Sequence, residues 1–122
     1  MAQQVHGLPI PALLALRFNL HLSEAQCGLR AEARDGLQRL LTDQLSVYGD
    51  GHARCLDARL VLARVELESG ALEAAAELLA GAPSDPRRGS ESERVRACAF
   101  EGLRCVLDYR RDPGPTSLAA LE

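Results

Sequence analysis

The sequence has no lysine and no tryptophan, only two phenylalanines and two tyrosines, and a single isoleucine, Ile10. A sheet presents β-branched and aromatic side chains on its pleated faces, so these shortages argue against a sheet protein. No run reaches the roughly eighteen consecutive apolar residues that a membrane-spanning helix needs. Met1 to Pro11 carry no positive charge ahead of their short apolar run and do not read as a secretory signal. A cytoplasmic location is the simplest expectation. The 14 basic residues, all arginine, face 17 carboxylates for a net charge of −3. That mild acidity argues against a general nucleic-acid binder, which needs a clustered basic face. The four cysteines, Cys27, Cys55, Cys98 and Cys105, form no CxxC pair. Cys98 and Cys105 fall two turns apart on one predicted helix, about 10 Å along its axis, too far for a disulfide. All four read as reduced, small apolar residues.

What is abundant is leucine (22) and alanine (19), a third of the 122 residues. That composition reads as all-α, and the length suits one domain. Residues 1–10 read as a flexible leader, 11–112 as a single helical domain, and 113–122 as a flexible tail. Pro11 suits the first turn of a helix, and an apolar run from Leu13 to Leu22 follows, interrupted at Gly28. Ala33, Leu37, Leu40, Leu41 and Leu45 form an amphipathic stripe. The segment Tyr48-Gly49-Asp50-Gly51 is a turn signal. Cys55, Leu56, Leu60, Ala63 and Leu67 mark a third helix that ends at Gly70, and a short fourth helix runs to about Ala80. A loop follows over Gly81 to Gly89. Ser90 and Glu93 match a capping box, and the fifth helix ends with Arg110 and Arg111 before Pro113-Gly114.

An internal repeat emerges when Gly28 is aligned with Gly70, an offset of 42 residues. Ala33 then falls on Ala75, Leu37 on Leu79 and Leu20 on Leu62. Each copy is a helix ending at glycine, then a helix with alanine five residues on and leucine nine on. Glycine permits the tight turn, alanine lets the hairpin close, and leucine meets the next hairpin.

This pattern resembles the tetratricopeptide repeat family, in the long-helix variant of kinesin light chains and bacterial signalling proteins. The resemblance rests on Val47-Tyr48-Gly49-Asp50-Gly51-His52-Ala53, then Leu62-Ala63, Glu68-Ser69-Gly70 and Ala75. It covers residues 13–82. It implies two helical hairpins, about 11–48 and 52–81, and a capping helix, about 91–111, stacked as a right-handed superhelix of antiparallel helices. Ala53 departs from the family's proline. His21 stands where a small residue matching Ala63 is expected, and Arg17 and Arg59 stand where the shorter repeat often has an aromatic. The fifth helix fits loosely, with Gly114 at an offset of 44. The absence of lysine fits a GC-rich, bacterial source.

Candidate sites are few. A zinc site needs convergent ligands at recognisable spacing, and His52 with Cys55 is the one pair three residues apart on a helix. His52 is expected instead to contact the preceding turn. GxSxG, GxGxxG and GxxxxGK are absent, so neither a nucleophile elbow nor a phosphate cradle is present. No catalytic, metal or cofactor role is expected. The resemblance implies a concave groove lined by the first helix of each hairpin, where a partner peptide or helix lies. Its positions here are Phe18, Leu22 and Gln26, then Asp57, Leu60, Arg64 and Leu67, with Arg104 and Asp108 continuing the wall. The expected function is a non-enzymatic protein-interaction module with a protein or peptide partner and neither nucleic acid nor membrane. Because such repeats need about three stacked units, a homodimer or a larger parent chain is expected. The rival readings are a small helical chaperone for a secreted partner and a helical metal protein or enzyme using His52 and Cys55.

Overall fold

The computed structural model describes residues 10–81 and 87–112. Apart from Ile10, the expected leader lies outside them, as do the expected tail and residues 82–86 of the expected loop. Five helices follow in order: α1 (Ile10–Gln26), α2 (Arg30–Tyr48), α3 (Ala53–Glu68), α4 (Leu72–Leu79) and α5 (Glu91–Arg111). No strand occurs among the described residues. Each helix packs on its neighbours in sequence, and α3 also touches α1 and α5. Thus α2 bridges α1 and α3, while α4 bridges α3 and α5.

The 42-residue repeat is realised down to the backbone of its turns. At the end of α1, Gly28 N–H donates to Ala25 O and Leu29 N–H to Glu24 O. At the end of α3, Gly70 N–H donates to Leu67 O and Ala71 N–H to Glu66 O. This is the same paired-bond helix stop, and it requires a left-handed residue: φ is 86° at Gly28 and 84° at Gly70. Beyond each turn Ala33 and Ala75 are fully buried, as are Leu37 and Leu79. At α5, Ser90 Oγ accepts from Glu93 N–H, and the Glu93 carboxylate accepts from Ser90 N–H at 2.7 Å. The expected capping box is therefore present. The Ser90 backbone N–H, with its hydroxyl adding to it, holds the Glu93 carboxyl below the usual range.

Two apolar clusters form the core. Leu14, Ala33, Leu37, Leu40, Val61, Leu62 and Val65 make the first. Leu56, Ala63, Leu67, Ala75, Leu79, Phe100 and Leu107 make the second. Only α3 contributes buried residues to both, one cluster on each of two faces.

The departure at His21 has a steric answer. A Cβ at Gly36 on α2 would overlap the His21 imidazole, so the ring fills the space of a missing side chain. Its Nδ1 lies 2.8 Å from Glu24 Oε1. Forty-two residues on, the same pair is Ala63 and Leu78, both in the second cluster. The hairpins carry large–small and small–large versions of one contact.

Arg59 also has a role that the sequence did not show. Its Nε and Nη2 donate to Leu78 O at 3.0 and 2.7 Å, and Nη2 also reaches Ala80 O at 2.7 Å. Arg104 Nη2 donates to Leu79 O at 3.1 Å. Three successive carbonyls at the end of α4 thus meet guanidinium groups. That satisfies acceptors a helix end leaves open and places cations at the negative dipole end. At eight residues, α4 is too short to hold alone.

The fifth helix corrects the expected offset of 44. Its inward residues Ala97, Phe100, Leu103 and Leu107 lie 42 residues after Cys55, Ala58, Val61 and Val65 of α3. Ala97, Phe100 and Leu107 are buried, as are those α3 counterparts. Gly114, which suggested 44, lies outside the described residues.

Gly36→Ala gains helix propensity of about 1 kcal/mol, yet it should destabilise the chain by about 1–3 kcal/mol through overpacking. His21→Ala with Gly36→Leu, copying the second hairpin, should recover most of that loss. Denaturant unfolding measures both. A Gly36→Ala chain at least as stable as the parent would refute the steric pairing.

Candidate functional site

The inner helices α1, α3 and α5 enclose one groove of about 480 Å³. Phe18 comes from α1, Asp57, Leu60, Val61 and Arg64 from α3, and Ala99, Gly102, Leu103 and Val106 from α5. A second hollow of about 410 Å³ shares Asp57, Leu60 and Ala99 and extends past Val95 and Arg96 to Glu91. The two hollows adjoin at those three residues, beside α5.

The lining obeys the repeat register. Asp57, Leu60, Val61 and Arg64 of α3 correspond, 42 residues on, to Ala99, Gly102, Leu103 and Val106 of α5. One face of the repeat unit therefore supplies both walls. Phe18, the counterpart of Leu60 in the first hairpin, closes the end.

Of the nine expected groove residues, Phe18, Asp57, Leu60 and Arg64 come together here. Leu22 is half-buried against the first core cluster, and Gln26 is exposed near the end of α1. Leu67 is 2% exposed inside the second cluster, so its assignment to an open groove is corrected. It belongs to the face that α4 covers. Arg104 is also corrected: it faces the end of α4 and donates to Glu101 and to Leu79 O. Asp108 lines a separate hollow with Cys105 and Tyr109. The placements of Arg104 and Asp108 both follow from the 44-residue offset. A slip of two residues turns a helix by about 200°, which moves a position to the opposite side. At 42, Gly102 and Val106 take their places. Ala99, Gly102, Leu103 and Val106 of α5 were missed for that reason, while Val61 of α3 was not among the apolar residues that the sequence singled out on that helix.

The groove's polar groups are unequal. Asp57 is held: Arg96 Nε meets its Oδ1 at 2.8 Å across α3 and α5. Arg64 is exposed and makes no ion pair among the described residues. The apolar floor can bury side chains, and Arg64 offers a cation at its edge.

His52 and Cys55 have structural partners. His52 stacks on Tyr48 with ring centroids 4.2 Å apart, and its Nδ1 accepts from Arg54 N–H at 3.1 Å, capping α3. The Cys55 thiol is buried and points at Gly49 O, 3.5 Å away. Burial, with the Asp50 carboxylate adding to it and Arg59 opposing, pushes that thiol above its ordinary pKa. Among the described residues no three His, Cys, Asp or Glu side chains converge to hold a metal ion, and no helix is long and apolar enough to cross a membrane.

No family model matches the chain, and no curated protein or solved structure matches it.

Cys27, Cys98 and Cys105 are exposed while Cys55 is not. A chromogenic thiol reagent at mildly alkaline pH should therefore titrate three thiols promptly in the native chain and the fourth only after denaturation. Prompt reaction of all four would contradict the placement of Cys55.

Proposed function

We propose that this chain is a non-enzymatic protein-interaction module of tetratricopeptide type. Its two hairpins and half of a third would stack as a right-handed superhelix, with the α1–α3–α5 groove as the binding surface. The observation that carries this reading is the register-matched lining. Equivalent positions on successive inner helices line one largely apolar groove, as a repeat built to present a concave face requires.

The occupant would be a peptide or helix that buries apolar side chains over Phe18, Leu60 and Val106. Helix-in-groove recognition reads such anchors at helical spacing. Arg64 adds a preference for a carboxylate beside an apolar anchor, while Asp57 stays engaged by Arg96. Such a surface fits an adaptor or scaffold that acts by holding a partner.

Selection from a random-peptide display library tests this directly. Enriched peptides should combine an acidic residue with apolar ones. Leu60→Asp with Arg64→Glu should weaken their binding about tenfold or more, ~1.4 kcal/mol, with helicity unchanged by circular dichroism. Undiminished binding to the double variant, or no enrichment at all, would sink the groove reading.

A further inference from the structure

The charged side chains of the two adjoining hollows sort into one pair and two lone charges. Asp57 lines both hollows, and Arg96 Nε reaches its Oδ1 at 2.8 Å, so these opposite charges offset each other. Arg64 remains on the wall of the first hollow and Glu91 on the wall of the second. Both are exposed, and neither makes an ion pair among the described residues. The repeat register gives their separation. Arg64 corresponds to Val106 of α5, and Glu91 precedes Val106 by 15 residues. At the rise of an α-helix the two charges lie roughly 22 Å apart along the axis. Leu60 and Ala99, shared by the two hollows, lie between them.

We infer, resting on the groove reading above, that the partner segment is a bipolar amphipathic helix of about four turns. A basic side chain at one end meets Glu91, an acidic side chain at the other meets Arg64, and apolar side chains cover Leu60 and Leu103 between them. Charge complementarity selects this occupant over a segment of one sign. A uniformly acidic segment gains at Arg64 and loses at Glu91, and a uniformly basic one does the reverse, since like charges set together disfavour a partner as opposite charges favour it. The spacing of the walls selects a helix. Asp57, Leu60, Val61 and Arg64 recur at intervals of three and four residues on α3, as do Ala99, Gly102, Leu103 and Val106 on α5. Such rows are the ridges between which a further helix packs. At Gly102 the wall carries no side chain, and a Cβ there would meet nothing within 4 Å. An occupant can therefore approach the α5 backbone closely at that point.

Four synthetic peptides of about 15 residues, acetylated and amidated so that their termini are uncharged, test this on the whole chain. All carry leucines at helical spacing in an alanine and glutamine background. They differ at their two end positions: lysine and glutamate, lysine at both, glutamate at both, or glutamine at both. In fluorescence anisotropy titrations the lysine–glutamate peptide should bind tightest, by about two- to fivefold per ion pair over the glutamine peptide. The two peptides of one sign should gain nothing over it. Arg64→Gln and Glu91→Gln should each reduce the bipolar peptide's advantage and together abolish it, with helicity unchanged by circular dichroism. A nitroxide beside the peptide's lysine should broaden the amide resonances of Ser92 and Val95, and one beside its glutamate those of Arg64 and Val106. The reverse pattern, equal affinity of all four peptides, or tightest binding by the glutamate-only peptide would overturn the bipolar partner and leave the groove reading standing. Binding by none of the four would overturn the groove reading as well, and a dimeric chain in that case would give the groove to a second copy.

Discussion

The structure depends on α3 being buried on two faces at once. Val61, Leu62 and Val65 meet α2 and α1, while Leu56, Ala63 and Leu67 meet α4 and α5. A helix that is apolar around most of its circumference cannot stay in water, so neighbours must cover both sides. The two hairpins are the means of doing so. The groove follows from the same demand. Once α2 and α4 take the two outer flanks, α1 and α5 are brought alongside α3, and the remaining strip of α3, with Leu60 and Arg64, becomes the floor between them.

The missing lysines take on a structural meaning at Arg59. That guanidinium uses two nitrogens on Leu78 O and Ala80 O and lies 5.8 Å from the Phe100 ring centroid. A planar fork can meet two carbonyls and lie over a ring together, whereas an ammonium is a point charge with rotating donors. Arg104 and Arg110 extend the pattern, donating to Leu79 O and Leu67 O at the ends of α4 and α3. Arginine thus performs at helix C-termini what Ser90 performs at the N-terminus of α5. The geometry explains why a lysine at position 59 would not serve equally.

Helix boundaries, glycine stops and the capping box were legible in the sequence because each depends on residues near in the chain. The contents of the groove were legible in part, through Phe18, Asp57, Leu60 and Arg64, because the repeat projects one hairpin's positions onto another. What stayed hidden were compensations between distant residues. Nothing local marks Gly36 as the space for His21, or Arg59 as the cap of a helix nineteen residues on. The register of α5 was misread because it was anchored on a terminal glycine. A packed helix is registered by its buried stripe, and Ala97, Phe100 and Leu107 set it at 42.

The repeat register also marks where equivalent positions meet different surroundings. Positions 16 and 20 of α1 are the counterparts of Ala58 and Leu62, which α3 buries; here Leu16 and Leu20 are 53% and 54% exposed. On α5 the counterparts of the buried Leu56, Ala63 and Leu67 are Cys98, Cys105 and Tyr109, which are exposed. The cause is the number of neighbours. Among the described residues α3 packs on all four other helices, whereas α1 packs on α2 and α3, and α5 on α3 and α4. Burial is favourable in proportion to the apolar area that a neighbour removes from water, so one position of the repeat is core on α3 and surface on α1 or α5.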